Sequence, residues 1–75
     1  MKLEIVADVV WAKIQSLSPT ENLHLRSRQL NGISAIVSIP SSVRSFPRKR
    51  KNVEAFLQRY EIETSLVTNS DDLFW

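Results

Sequence analysis

The centre of the chain reads Asn31-Gly32-Ile33-Ser34-Ala35-Ile36-Val37-Ser38-Ile39. Asn-Gly is the pair that a two-residue hairpin turn favours, because both central residues of a type I′ turn need positive φ. The β-branched run after it is typical of a strand, and Pro40 ends it. The stretch predicts a short strand near 27–30, a turn, and a longer strand at 33–39. A helix that ends at an Asn31/Gly32 cap is the alternative.

The segment before the hairpin predicts two helices. Residues 3–17 carry one apolar face at the helical period: Leu3, Val6, Ala7, Val10, Ile14 and Leu17, with Trp11 at its edge. Their β-branched residues leave a strand at 3–10 as the alternative. Ser18-Pro19-Thr20-Glu21 then offers a capping serine, a proline suited to the first helical position and the glutamate of a capping box. A second, short helix is therefore expected from 19 to about 27.

The segment after the hairpin predicts a helix and a last strand. Val53, Phe56, Leu57 and Tyr60 recur at i, i+3, i+4 and i+7, which predicts a helix at about 48–60. Residues 61–68 alternate polar and apolar side chains and predict a strand. The expected order is α-α-β-β-α-β. It describes a single small α+β domain over residues 1–68, with a three-stranded sheet packed by helices, and an acidic and aromatic tail at 69–75.

Length and composition limit the class of protein. Seventy-five residues suit one domain with a modest core. The chain has no cysteine, which excludes disulfides and thiolate metal sites and fits a reducing compartment. No apolar run reaches the roughly 18 residues of a membrane span, and Glu4 and Asp8 interrupt the first apolar stretch, unlike a secretory signal. We expect a cytoplasmic protein with no membrane partner.

Residue sets that catalysis needs are not evident. His24 has no second histidine or cysteine for a metal site, and Ser41, Ser42 and Ser45 have no base at a recognisable spacing. Glu61 and Glu63 are read as the solvated face of a strand. The single glycine argues against a phosphate-binding loop. The sequence therefore predicts a non-enzymatic protein with no cofactor and no metal.

Positive charge is concentrated in one short segment. Residues 44–51, the basic segment, contain five cations, Arg44, Arg48, Lys49, Arg50 and Lys51, beside the aromatic Phe46. Closely spaced cations release counterions from a phosphate backbone, and an exposed aromatic ring stacks on bases. These six residues are the candidate nucleic-acid contact. The alternative is a solvated helix end, or one paired internally with the acidic residues at 61–72.

Two apolar features are candidates for a protein interface. On the first helix, Ile5, Val9 and Ala12 form a second apolar strip beside Trp11, which suggests a partner surface or a homodimer contact. The alternative is that both strips are buried. At the C-terminus, Asp71-Asp72-Leu73-Phe74-Trp75 resembles a docking peptide, in which charge steers and the large side chains Leu73, Phe74 and Trp75 insert. The alternative is that Leu73 and Phe74 fold back onto the core.

An extended pattern resembles a known family. Trp11-x-x-Ile14-x-x-Leu17-Ser18-Pro19-Thr20, the strand 33–39, Lys51-Asn52-Val53-Glu54-Ala55-Phe56 and Glu61-x-x-x-Ser65-Leu66-Val67 cover roughly residues 9–68. Together they resemble the C-terminal domain of the tau subunit of bacterial DNA polymerase III and, more distantly, the N-terminal domain of the initiator DnaA. The resemblance implies a KH-like fold and protein–protein docking in DNA replication, with DNA contact. Pro47 and the cations after it depart from the smoother helix of that family.

Three functions remain open on the sequence. The first is a docking module linked to DNA replication or another nucleic-acid transaction. The second is a direct, sequence-nonspecific nucleic-acid binder that uses the basic segment. The third is a small regulatory protein, such as an antitoxin or a phage-type inhibitor, that inserts its apolar tail into a partner.

Overall fold

The computed structural model describes residues 2–30, 33–62 and 73–74, apart from the side chains of 27–30 and 33–35. Helix α1 spans Leu3–Ser16, strand β1 Asn22–Leu30, strand β2 Ile33–Pro40 and helix α2 Val53–Arg59. A single 3₁₀ turn at Arg50–Asn52 leads into α2. Within the described residues no helix has the length and apolarity that a membrane span requires.

Helix α1 agrees with the helix predicted at 3–17, which excludes the strand alternative. Val6, Ala7 and Val10 are completely buried, and Leu3, Ile14 and Leu17 pack against the same core at its margin. The 3.6-residue period therefore identified the buried face correctly, because each of these positions returns to one side of the helix.

The hairpin forms, but its first strand is much longer than expected. Strands β1 and β2 pair antiparallel, with Leu23 opposite Ile39 and Leu25 opposite Val37, and the register shifts between Arg26 and Gln29. The Asn31-Gly32 pair itself lies outside the described residues. Leu23, Leu25 and Ile39 are buried, so the hairpin presents one apolar face to the helices.

The helix predicted at 19–27 is wrong, since β1 occupies most of that range. Ser18 to Glu21 form a turn in which the Glu21 amide donates to the Ser18 carbonyl at 3.1 Å. The Glu21 carboxylate also accepts a hydrogen bond from the Ser18 amide at 3.1 Å. This is the contact of a capping box, formed without a helix after it. Leu23 and Leu25 are two residues apart, which is the period of a strand.

The predicted three-stranded sheet and the α-α-β-β-α-β order are also wrong. Within the described residues the order is α1-β1-β2-α2 around a two-stranded sheet. The closing strand was expected to begin at Glu61, but the amides of Glu61 and Ile62 instead donate back to carbonyls in the last turn of helix α2. Residues 63–68 of that expected strand lie outside the described residues.

Helix α2 ends in a Schellman motif. Glu61 has a φ of 55°, in the left-handed region. The Glu61 amide donates to the Gln58 carbonyl at 3.1 Å and the Ile62 amide donates to the Leu57 carbonyl at 3.0 Å, which are the two bonds of that motif. The reversal turns Ile62 into the core, where it is 8% exposed. A strand cannot start at Glu61 because its backbone is committed to this reversal.

The core lies between the hairpin and the two helices. It joins residues from both helices and both strands with Phe46, Ile62 and Leu73. The Phe46 and Phe56 rings meet edge to face, with centroids 5.8 Å apart. Leu73 is completely buried, its carbonyl accepts a hydrogen bond from the Arg26 amide at 2.9 Å, and Phe74 bridges to Leu25. Of the two alternatives for the C-terminal residues, this geometry matches the one in which they fold back onto the core.

Candidate binding surfaces

A groove of about 480 Å³ lies between the C-terminal half of α1 and the loop that follows β2. Its apolar lining comprises Trp11, Ile14, Leu17, Pro19, Phe46 and Pro47. Its polar lining includes Ser42 and Arg48. Trp11, Ile14 and Leu17 are only half-buried, so part of this apolar lining faces solvent. Ser18 and Ser41 also line the groove, which therefore combines apolar and polar surface. Ligand sites commonly combine an apolar concave surface with placed polar groups.

Hydrogen bonds through Ser41 join the turn at 18–21 to the loop after β2 beside the groove. The Ser41 hydroxyl, on a residue that is 8% exposed, donates to the Pro19 carbonyl at 2.8 Å. The Ser41 amide donates to the Glu21 carbonyl at 3.2 Å, and Arg48 Nη2 donates to the Ser41 carbonyl at 3.1 Å. The turn 18–21 and the loop after β2 are thereby held at a fixed separation, which preorganises the groove.

The apolar strip predicted on α1 is only partly brought to this groove. Trp11 lines it, whereas Ile5, Val9 and Ala12 do not. Ile5 is 45% exposed, Ala12 is exposed and Val9 is half-buried against the core. The loop partners of Trp11, such as Pro47 and Ser42, were not predicted as interface residues, because only the fold brings them to α1.

The residues of the basic segment have different environments in the structure: one cation is paired, the aromatic ring is buried and four cations are exposed. The Arg50 Nε donates to the Asp8 carboxylate at 2.7 Å, and Arg50 Nη2 donates to the Glu4 carbonyl at 3.3 Å. Phe46 is 4% exposed, so its ring offers no open face for stacking on a base. Arg44, Arg48, Lys49 and Lys51 are exposed. Within the described part of the chain, Arg50–Asp8 is the one ion pair, so the acidic partner of Arg50 lies in α1.

A second hollow of about 370 Å³ collects three arginines. Arg44, Arg48 and Arg59 line it together with Ser45 and Asn52. It shares Phe46, Pro47 and Arg48 with the groove, so the two adjoin. We call it the arginine hollow. Sequence reasoning missed Arg59, because that residue belongs to the acidic end of the chain and lies 8 positions after Lys51.

The other polar candidates, His24 and Glu21, line neither the groove nor the arginine hollow. No group of three metal-ligating side chains occurs among the residues that the structure describes. His24 lies at a shallow hollow with Lys13, Glu21 and Phe74. Hydrogen bonds from the Ser18 amide and hydroxyl lower the pKa of the exposed Glu21 carboxylate. Its role is to close the turn at 18–21.

Comparison of the chain with protein-family models, curated proteins and solved structures finds no match. The resemblance to the tau subunit therefore stays a hypothesis. The structural features that bear on function are the groove, the arginine hollow and the exposed cations.

Proposed function

We propose that this domain is a non-enzymatic docking module that binds a segment of a partner protein in the groove beside Trp11. We place it in the cytoplasm and connect it to DNA replication or another nucleic-acid transaction, on the strength of the resemblance to the tau subunit. The observation that supports a docking function is the groove itself. Trp11 and two prolines line this concave surface, which stays partly open to solvent.

The lining of the groove suits a polypeptide. Tryptophan is enriched among residues that dominate binding energy, because its large ring desolvates well at a low cost in conformational entropy. Half-burial of Trp11 against the core holds its ring while one part stays accessible. The Ser42 hydroxyl and the Arg48 guanidinium supply polar groups that can orient a peptide backbone or a carboxylate.

A peptide-display selection against the full chain tests the proposal. We expect selected peptides to shift the amide resonances of Leu17, Ser42 and Arg48, because these residues line the groove. The variant Ser42→Trp fills the groove from an exposed position and should abolish binding. Ser38→Trp, on the outer face of β2, is the matched control and should bind normally. Peptides whose shifts map only to the outer sheet face would refute the docking site.

A second candidate function is sequence-nonspecific nucleic-acid binding. The observation that favours it is the exposure of Arg44, Arg48, Lys49 and Lys51 along one segment. Affinity for short DNA should then fall steeply with salt, with a logarithmic slope of roughly −0.7 per contacted phosphate for single strands and −0.9 for duplex. Absence of binding even at low ionic strength, where phosphate contacts are strongest, would exclude this candidate.

A further inference from the structure

The arginine hollow gathers positive charge from three separate parts of the chain. Arg44 comes from the turns after β2, Arg48 from the approach to the 3₁₀ turn, and Arg59 from the last position of α2. Arg48 is held in place, since its Nη2 donates to the Ser41 carbonyl at 3.1 Å and its guanidinium lies 5.9 Å from the Phe46 ring centroid. Arginines that line one hollow can supply several charge-assisted donors to an anion with several acceptor oxygens.

We propose that the arginine hollow binds the phosphate monoester of a phosphorylated serine or threonine in the docked partner segment. This inference rests on the proposed docking function and specifies its partner. The occupant is assigned by charge complementarity and by the position of the hollow, which adjoins the groove through Phe46, Pro47 and Arg48.

The number of arginines favours a phosphate monoester over other anions. A carboxylate has one charge and two oxygens, so a single bidentate arginine already neutralises its charge. A backbone phosphodiester likewise carries one charge. A phosphorylated serine carries close to two charges at neutral pH and presents three acceptor oxygens, so it can engage all three guanidinium groups. The Ser45 hydroxyl and the Asn52 amide line the same hollow and add neutral hydrogen-bonding groups.

The adjoining groove favours a polypeptide as the source of the phosphate. A segment that inserts an apolar side chain beside Trp11 can continue past Phe46 and Pro47 into the hollow, because these residues belong to both surfaces. Recognition of a phosphorylated motif by clustered arginines is an established mode of peptide binding. Arg48, which lines both surfaces, is placed to contact the peptide on either side of the phosphate.

The first test uses inorganic phosphate as the probe. We expect it to shift the side-chain Nε–H resonances of Arg44, Arg48 and Arg59. Apparent affinity should rise between about pH 6 and pH 8, because inorganic phosphate gains its second negative charge about one pH unit above the pKa of roughly 6 of a phosphate monoester. Arg59→Gln should weaken binding by roughly tenfold, the loss expected for one charge-assisted hydrogen-bonding partner. Lys2→Gln makes the same charge change at an exposed residue that lines neither surface and should leave binding unchanged. Equal losses in both variants would overturn the hollow as a specific site.

The second test compares degenerate peptide libraries that differ only at a central phosphoserine or serine. The full chain should retain the phosphoserine library at least roughly tenfold better, and Arg59→Gln should reduce its retention to the level of the serine library. Adenosine monophosphate and single-stranded oligothymidylate serve as competitors. Stronger binding of either competitor than of the phosphopeptides would overturn the assignment of the partner.

The two proposals fail in distinguishable ways. If serine and phosphoserine peptides bind equally well, and Ser42→Trp blocks both, the phosphate inference is wrong and the docking function stands. If inorganic phosphate shifts the three arginines but no peptide perturbs the groove, the docking function is wrong, and with it the phosphopeptide assignment.

Discussion

Ser41 connects the turn at 18–21 with the loop after β2, beside the groove. Its hydroxyl donates to the Pro19 carbonyl and its own carbonyl accepts from Arg48. Replacing it with alanine leaves the Pro19 carbonyl without this donor in a part-buried site. We expect Ser41→Ala to lower the free energy of unfolding by about 1–2 kcal/mol in urea denaturation. Ser42→Ala, at the exposed neighbouring position, should change it by less than about 0.5 kcal/mol. Equal effects would show that the hydroxyl bond adds nothing.

Glu61 holds a backbone conformation that favours glycine. With a φ of 55° it occupies the left-handed region, which costs a residue with a Cβ roughly 1–2 kcal/mol. Relief of this cost should outweigh the greater freedom of glycine in the unfolded chain. We expect Glu61→Gly to raise the free energy of unfolding by about 0.5–1 kcal/mol.

The same substitution inside α2 gives the control for Glu61. Glu54→Gly lies at a helical position and should lower the stability by about 1 kcal/mol, because glycine is a poor helix former. Urea denaturation of both variants gives the comparison. Destabilisation by Glu61→Gly as large as that by Glu54→Gly would contradict the Schellman geometry.

At the scale of elements, β1 is flanked on both sides. Strand β2 pairs with one edge, and Leu73 and Phe74 contact the backbone at Arg26 and Leu25. The C-terminal contact therefore belongs to the domain. The predicted docking peptide at 71–75 would have to release Leu73 from the core in order to bind a partner.

Truncation of Leu73 measures the strength of that contact. Leu73 is completely buried, so Leu73→Ala should cost about 2–5 kcal/mol. A domain of this size has a total stability of roughly 4–11 kcal/mol, so the loss should be visible as a large drop in Tm. Ile36→Ala removes a similar side chain from a position that is 43% exposed and should cost less than about 1 kcal/mol. Near-wild-type stability of Leu73→Ala would show that residues 73–74 dissociate readily.

At the scale of the whole molecule, the described residues expose large apolar side chains on two separate elements. Within the described residues, Ile5 and Ile36 are the large apolar side chains that are exposed, and one lies on α1 and the other on β2. A standard interface buries about 800 Å² on each partner, roughly a sixth of the 5018 Å² of accessible surface of this chain. We expect a monomer at micromolar concentration in sedimentation or light scattering. A concentration-dependent dimer that Ile5→Ser abolishes would contradict this expectation.

Local patterns predicted the elements whose signal is periodic. The face of α1 and the strand 33–39 agree with the structure, because burial of one side of a helix or strand imposes the same period on the sequence. The capping box at 18–21 led to the wrong prediction of a helix at 19–27. The bond between the Ser18 amide and the Glu21 carboxylate also forms in a turn that no helix follows. The conformation after this turn depends on Leu23 and Leu25, whose inward direction is set by the helices against which they pack.

The candidate sites were predicted only in part for a related reason. Trp11 and the cations of the basic segment are evident in the sequence, because composition and spacing show them directly. Arg50 pairs with Asp8, and Arg59 lines the same hollow as Arg44 and Arg48. Both arrangements involve residues that are distant along the chain. Charge counted in sequence order cannot show which cations meet, since only chain folding sets their distances.

By itself, the sequence determined a small domain without cysteine, the buried face of its first helix, a central hairpin strand and a concentration of positive charge. The tertiary structure decided that residues 22–30 form a strand, that Leu73 belongs to the core, that Arg50 is paired, and that three arginines adjoin a groove beside Trp11. The physical reason is the distance along the chain over which each interaction acts. Helix and strand periods and turn preferences act within a few residues, whereas burial and ion pairing depend on which distant segments the core brings into contact.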